Sequence, residues 1–109
     1  MIMNLSILNK EKKLTSKERA YLRSVSHDME SVVIIGKDGI TDEILKSAED
    51  AIKKRELIKC KILPSADLDI HETADKIACE IKAETVFTIG SKFVLFRRKT
   101  KNSAFKKLS

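Results

Sequence analysis

The residues best suited to chemistry are two closely spaced glycines in the first half of the chain. The segment Gly36-Lys37-Asp38-Gly39 follows a β-branched run at 32–35, and Thr41 then opens an amphipathic stretch. This order predicts a strand, a tight loop and a helix start. Such a helix directs its unpaired amides and the positive end of its dipole at the loop, where an anion such as phosphate can bind. Lys37 adds a full positive charge there.

A second set of basic residues lies on the helix predicted before this strand. The segment Thr15-Ser16-Lys17-Glu18 fits a capping box, and the helix is expected to run to about residue 27. Arg19, Arg23 and His27 are spaced by four and form a stripe nearly opposite the apolar side of the helix. This stripe is either a solvated face or a ligand-binding face.

Two lysines follow on the strand after the second predicted helix. Within 57–63 the apolar residues Ile58, Cys60 and Ile62 alternate with Lys59 and Lys61. The lysines are therefore expected side by side on an open sheet face or at a sheet edge. They either contact an anionic ligand or discourage edge-to-edge aggregation.

Length and composition limit the class of protein. The 109 residues suffice for one domain, and their 42% hydrophobic content argues against a disordered chain. The longest apolar run is far shorter than the ~20 residues of a membrane span, and the start lacks the basic lead of a secretory signal. We therefore expect a cytoplasmic domain in which Cys60 and Cys79 remain thiols and fill the core.

The charge of the chain is unevenly distributed. Of the net +6, residues 84–109 carry +6 and residues 64–83 carry −3. Such polarity can orient a protein on a polyanion, although basic tails also serve solubility. Aromatic residues make up 5% of the chain, which argues against the exposed base-stacking platform of an RNA-recognition motif.

Enzymatic and metal-binding patterns are incomplete. His71-Glu72 resembles the start of a zinc-protease motif, but no second histidine follows nearby. Neither cysteine has a neighbouring cysteine to form a metal knuckle, and the glycine loop lacks the Lys-Ser/Thr of a nucleotide-binding P-loop. The sequence therefore predicts no catalytic residues, no cofactor and no small-molecule substrate.

The predicted elements follow the order helix, strand, helix, strand, helix, strand, strand. Right-handed crossovers make three strands roughly parallel, and Gly90-Ser91 makes the last strand an antiparallel hairpin partner. The expected fold is a compact α/β domain with three helices and a four-stranded mixed sheet. We place this domain at 14–98, after a leader at 1–13 with a short helix near 5–8, and before a basic flexible tail at 99–109.

Four segments together resemble the CRM domain, also called the CRS1-YhbY domain. They are LTSKERAYLR at 14–23, VVIIGKDGIT at 32–41, ELIKCK at 56–61 and IGSKFVLFR at 89–97. The resemblance covers roughly 14–98 in the family's order. It implies a fold similar to the C-terminal domain of translation initiation factor 3. It also implies an RNA-binding protein associated with precursors of the large ribosomal subunit.

The resemblance also assigns the candidate RNA-binding residues. The Gly-x-x-Gly loop of the family falls on Gly36, Lys37, Asp38 and Gly39 and leads into Thr41. Its basic first helix falls on Lys17, Arg19 and Arg23, and its strand lysines fall on Lys59 and Lys61. We expect the loop to clamp RNA backbone, with Asp42 and Glu43 turned away from the phosphates. The alternatives are a protein-interaction module that docks on ribosomal proteins through the acidic segment 64–83 and, more remotely, an RNA-modifying enzyme.

Overall fold

The computed structural model describes residues 14–98. Its elements, in chain order, are α1 (Ser16–Ser26), β1 (Ser31–Ile35), α2 (Asp42–Arg55), β2 (Leu57–Ile62), a 3-10 turn (Pro64–Ala66), α3 (Ile70–Glu80), β3 (Glu84–Ile89) and β4 (Lys92–Phe96). The predicted order of helices and strands is confirmed. The predicted leader, its short helix and the basic tail lie outside the described residues. No helix between 14 and 98 is long and apolar enough to cross a membrane.

The helices begin at side chains that satisfy free amides. Thr15 and Glu18 form the predicted capping box, with N–O distances of 3.1 and 2.9 Å. Thr41 accepts a hydrogen bond from the amide of Ile44 at the start of α2. Asp69 accepts one from the amide of Glu72 at the start of α3. The polar residues before each apolar period therefore set the helix starts.

Helix α3 ends at Glu80, earlier than the predicted end near Ala83. Lys82 adopts a φ of +56°, and the amide of Ala83 donates to the carbonyl of Ala78 at 2.7 Å. The amide of Lys82 donates to the carbonyl of Cys79. This pair of bonds is a Schellman motif, which closes the helix although the left-handed residue is a lysine rather than a glycine.

The sheet has the strand order β1-β2-β4-β3. Strands β1 and β2 pair in parallel, whereas β4 pairs antiparallel with both β2 and β3. Three strands therefore run in one direction and β4 in the other, as predicted. The hairpin strand β4 lies between β2 and β3, which places β1 and β3 at the two edges.

The two faces of the sheet are covered by different helices. Helices α2 and α3 pack on one face over a core of β-strand and helix residues that includes Ile35, Ile58, Cys60, Ile77, Phe93 and Leu95. On the other face, α1 packs over a smaller cluster of Leu22, Leu57, Val86, Val94 and Phe96. The alternation in β2 thus places Ile58, Cys60 and Ile62 on one face, as predicted, and that face is the main core.

The two cysteines differ in their surroundings. Cys60 is fully buried in the main core, and burial raises the pKa of its thiol to about 12. Cys79 is exposed, so the prediction that it fills the core is wrong. The reason is helical phase, because the inward positions of α3 are taken by Ala74, Ile77 and Ala78.

Candidate nucleic-acid interface

Residues 36–39 form a tight turn between β1 and α2. The amide of Gly39 donates to the carbonyl of Gly36 at 2.9 Å, and Gly39 has a φ of +73°. Within the described chain, the amides of Lys37 and Asp38 make no hydrogen bond. Both residues are exposed at the tip of the turn. The turn therefore presents two open backbone donors and one ammonium group to solvent.

The two glycines meet different requirements. A left-handed φ favours glycine at Gly39, and a Cβ built there meets no atom within 4 Å. Gly36 does not lie in the left-handed region, and the nearest atom to its hypothetical Cβ is Leu63 Cδ1 at 4.0 Å. The fold itself therefore needs glycine at Gly39 but has room for a side chain at Gly36.

Acidic residues lie near the same turn. Asp38 is exposed within the turn, and Asp42 and Glu43 are exposed in the first turn of α2. Carboxylates in the first turn stabilise the helix but repel a phosphate. That Asp42 and Glu43 turn away from a bound anion stays a prediction. The hydroxyl oxygen of Thr41 accepts a hydrogen bond from the amide of Ile44, so Thr41 caps the same helix.

Arg19 does not belong to an open stripe. Its guanidinium donates to the carbonyls of Thr85 and Val86, the latter at 2.9 Å, and pairs with the carboxylate of Glu84 at 2.7 Å. The guanidinium is therefore held by β3 rather than free in solvent, and the contact of Arg19 with RNA stays a prediction. At 100° per residue Arg19 lies only about 60° from Leu22, on the flank of α1 that meets β3.

The remaining basic residues of α1 are more accessible. Lys17 is exposed in the first turn, and Arg23 is exposed with its guanidinium carbon 4.9 Å from the ring centre of Phe87, a cation–π contact. Arg19 contacts the start of β3, whereas the 36–39 turn follows the end of β1. Because β1 and β3 run in the same direction, the first turn of α1 and the 36–39 turn lie toward opposite ends of the sheet.

The lysines of β2 are not equivalent. Lys59 is only 8% exposed, and its ammonium donates to the carbonyl of His27 at 3.4 Å, beneath the end of α1. The predicted open position is therefore wrong for Lys59, since α1 covers it. The edge alternative is also wrong, because β2 pairs on both sides. Lys61 is partly exposed and lies beside Ile34, two residues before the turn.

Two features of this surface could not be read from the sequence pattern. Lys92 of β4 lies directly opposite Lys61, and Glu84 is the partner of Arg19. The first relationship depends on the register between β2 and β4, and the second on the packing of α1 against β3. In the described chain, no three His, Cys, Asp or Glu side chains come together in a way that could hold a metal ion.

Comparison with known proteins gives consistent matches. The sequence model of the CRS1/YhbY (CRM) domain family matches residues 14–97. The probable RNA-binding protein YqeI of Bacillus subtilis is 32% identical over 89 residues, which cover 82% of this chain and 93% of that protein. An RNA-binding protein of Haemophilus influenzae is 35% identical over 85 residues, which cover 77% of this chain and 85% of that protein.

A solved structure is also similar. The solution structure of the hypothetical protein SAV1595 from Staphylococcus aureus superposes with a TM-score of 0.72 at 35% sequence identity. The match covers 84% of this chain and 95% of that chain. The similarity therefore extends over the helices and the sheet together.

Proposed function

The chain belongs to the CRS1/YhbY (CRM) domain family, and we propose that it is a non-catalytic RNA-binding protein. Relatives named as RNA-binding proteins support RNA as the ligand. The observation that carries the mechanism is the exposed 36–39 turn, where Lys37 and two open amides face solvent. Those groups suit the phosphate oxygens of an RNA backbone.

The proposed mechanism assigns different tasks to the basic residues. The turn clamps one stretch of backbone, and Lys61, on the neighbouring strand, neutralises an adjacent phosphate. Arg19 and Lys59 hold α1 in place through their bonds to β3 and to His27. Lys17 and Arg23 contact RNA only where it extends across α1.

We place the binding domain at residues 14–98. Its first residue is held by the sheet, since the amide of Leu14 donates to both carboxylate oxygens of Glu84 at 3.1 Å. At the other end, the amide of Arg97 donates to the carbonyl of Glu56 at 2.8 Å. The match of the family model to residues 14–97 supports the same limits.

The binding mechanism is tested by the salt dependence of affinity. We expect the purified protein to bind a fluorescent single-stranded RNA, with log affinity falling linearly against log salt at a slope of about −0.7 per phosphate contacted. Anisotropy titrations at several salt concentrations measure that slope. A slope near zero, or no binding at low salt, contradicts the proposal.

We further propose that the RNA belongs to precursors of the large ribosomal subunit, which implies a cytoplasmic protein. This step rests on the family resemblance. Sucrose-gradient sedimentation of cell extract tests it, because the protein should travel with large-subunit precursors and be released by ribonuclease. If the protein still sediments with these particles after ribonuclease treatment, docking on ribosomal proteins would be favoured. The exposed acidic residues Asp67, Glu72 and Glu80 are the surface to test in that case.

A further inference from the structure

One row of side chains crosses all four strands next to the 36–39 turn. Strand pairing aligns Ile34 with Lys61, Lys61 with Lys92, and Lys92 with Ile89. Alternation places these four residues on the face opposite the main core, because their neighbours Ile35, Cys60 and Phe93 point into that core. We call these four residues the sheet-end strip.

The sheet-end strip is left uncovered by α1. In the adjacent row Val94 is fully buried and Lys59 is 8% exposed, whereas in the strip Ile34 is 48% and Ile89 57% exposed. Lys92 is exposed as well. The helix thus covers one end of this face and leaves the end near the turn open.

The composition of the strip lowers the stability of the domain when no ligand is bound. Lys61 and Lys92 are directly opposite in an antiparallel pair, where like charges destabilise the sheet. Within residues 14–98 neither ammonium makes a hydrogen bond or ion pair. Two exposed isoleucines flank them, and the lysine methylene groups extend the apolar surface between the isoleucines. A ligand with both anionic and apolar parts would satisfy all four side chains.

We propose that the sheet-end strip binds the unpaired nucleotides that follow the backbone segment held by the 36–39 turn. This proposal rests on the proposed RNA-binding function. Lys92, together with Lys61, contacts phosphates, and Ile34 and Ile89 contact the faces of unstacked bases. The strip is continuous with the turn, since Ile34 lies two residues before Gly36 and the carbonyl of Ile35 accepts the amide of Leu63 at 2.9 Å.

The two exposed isoleucines favour a single strand over a duplex. The bases of an RNA duplex are stacked and paired, so a duplex offers phosphates to the lysines but no base face to the isoleucines. The strip contains no aromatic side chain, so its base contacts are aliphatic and should be tolerant of sequence. The occupant is therefore single-stranded RNA rather than an RNA helix.

The test uses the full chain and two probes, a short oligouridine and an RNA duplex of the same length. Ile34→Thr/Ile89→Thr keeps β-branched residues at both positions and removes the apolar ends. We expect it to bind the single strand about fourfold more weakly or worse, with an unchanged salt slope and unchanged duplex affinity. Lys92→Gln should reduce the magnitude of the single-strand salt slope by about 0.7. Leu68→Thr and Lys76→Gln, exposed positions outside the strip, are the matched controls.

The outcomes separate the two proposals. The proposal for the sheet-end strip is overturned if the isoleucine variant binds the single strand with wild-type affinity. It is also overturned if Lys92→Gln leaves the single-strand salt slope unchanged. If Lys37→Glu weakens binding at the same time, the 36–39 turn remains the RNA site and only the strip fails. If the wild-type protein binds neither probe, the RNA-binding function and the strip are both overturned. Circular dichroism of each variant checks that the domain has kept its fold.

Discussion

The guanidinium of Arg19 lies 2.7 Å from the carboxylate of Glu84, which ties α1 to the first residue of β3. The same guanidinium donates to two carbonyls of β3, at Thr85 and Val86. Glu84 in turn accepts the amide of Leu14. A basic residue that a helical wheel places among ligand candidates is therefore part of the scaffold.

Replacing Arg19 should cost stability and leave RNA binding nearly unchanged. Arg19→Met keeps the apolar stem but removes every bond to β3, so we expect unfolding free energy to fall by about 1–2 kcal/mol. Urea unfolding measures the loss. Lys17→Met, at an exposed neighbouring position, is the control and should be neutral within about 0.5 kcal/mol. A large loss of RNA affinity in folded Arg19→Met would show that this residue contacts RNA directly.

Reversing the charge at the tip of the turn should weaken RNA binding without affecting the fold. Lys37 is exposed and has no partner among the described residues, so Lys37→Glu should have the same unfolding free energy as the wild type. It adds repulsion at the proposed phosphate site, and the affinity for single-stranded RNA should fall at least about tenfold at low salt. Anisotropy titration measures the change. Lys76→Glu on α3 carries the same charge change on another surface, and an equal loss there would mean that only net charge matters.

The two glycines of the turn should respond differently to alanine. Gly39→Ala forces a Cβ into a left-handed conformation, so we expect a loss of about 1–2 kcal/mol in unfolding free energy. Gly36→Ala meets neither an unfavourable φ nor a close atom, so its unfolding free energy should equal that of the wild type. If RNA backbone approaches the turn, Gly36→Ala should still reduce affinity. Normal RNA binding by Gly36→Ala would indicate that the ligand does not come close to this α-carbon.

The number of reactive thiols should depend on whether the protein is folded. Cys60 is buried with its pKa raised to about 12, so little reactive thiolate is available in the native protein. Cys79 is exposed on α3. Ellman's reagent should therefore label one thiol in the folded protein and two in denaturant, and Cys79→Ser should abolish the native signal. Rapid native labelling of the Cys79→Ser variant would mean that the core opens around Cys60.

The starts of the helices and the directions of the strands were predictable because they depend on local chemistry. Thr15 with Glu18, and Asp69, bond to amides within their own first turns, so neighbouring sequence suffices. Crossover handedness then gives the strand directions. The position of β4 between β2 and β3 follows from pairing with a segment about 35 residues earlier, which no local pattern records.

The candidate surface was predictable only in part, for the same reason. Alternation correctly places Lys59 and Lys61 on one side of β2. It does not show which helix packs on that side. Helix α1 covers Lys59 and leaves Lys61 open. Lys92 follows the predicted hairpin, yet its place opposite Lys61 depends on the register between β2 and β4. The exposed 36–39 turn, in contrast, follows directly from its own residues.

The pair between Arg97 and Glu49 predicts a pH dependence of stability. Arg97 donates to both carboxylate oxygens of Glu49, at 3.1 and 3.0 Å, and to the carbonyl of Ile81 at 2.7 Å. The hydrogen bond from Arg97 lowers the pKa of Glu49 below its usual 4.5, against a smaller opposing effect of burial. Because the folded-state pKa is lowered, this contribution is present above the unfolded pKa and is lost as pH falls through the folded value.

Arg97→Gln should therefore be less stable than the wild type by an amount that depends on pH. We expect the difference in unfolding free energy to be largest near neutral pH and to shrink as the solution is acidified below about pH 4.5. A residual difference should remain, because the bond from Arg97 to the carbonyl of Ile81 does not titrate. Urea unfolding at several pH values measures this, with Lys53→Gln on α2 as the control for a lost charge near Glu49. A difference independent of pH would mean that Arg97 stabilises the domain through Ile81 alone.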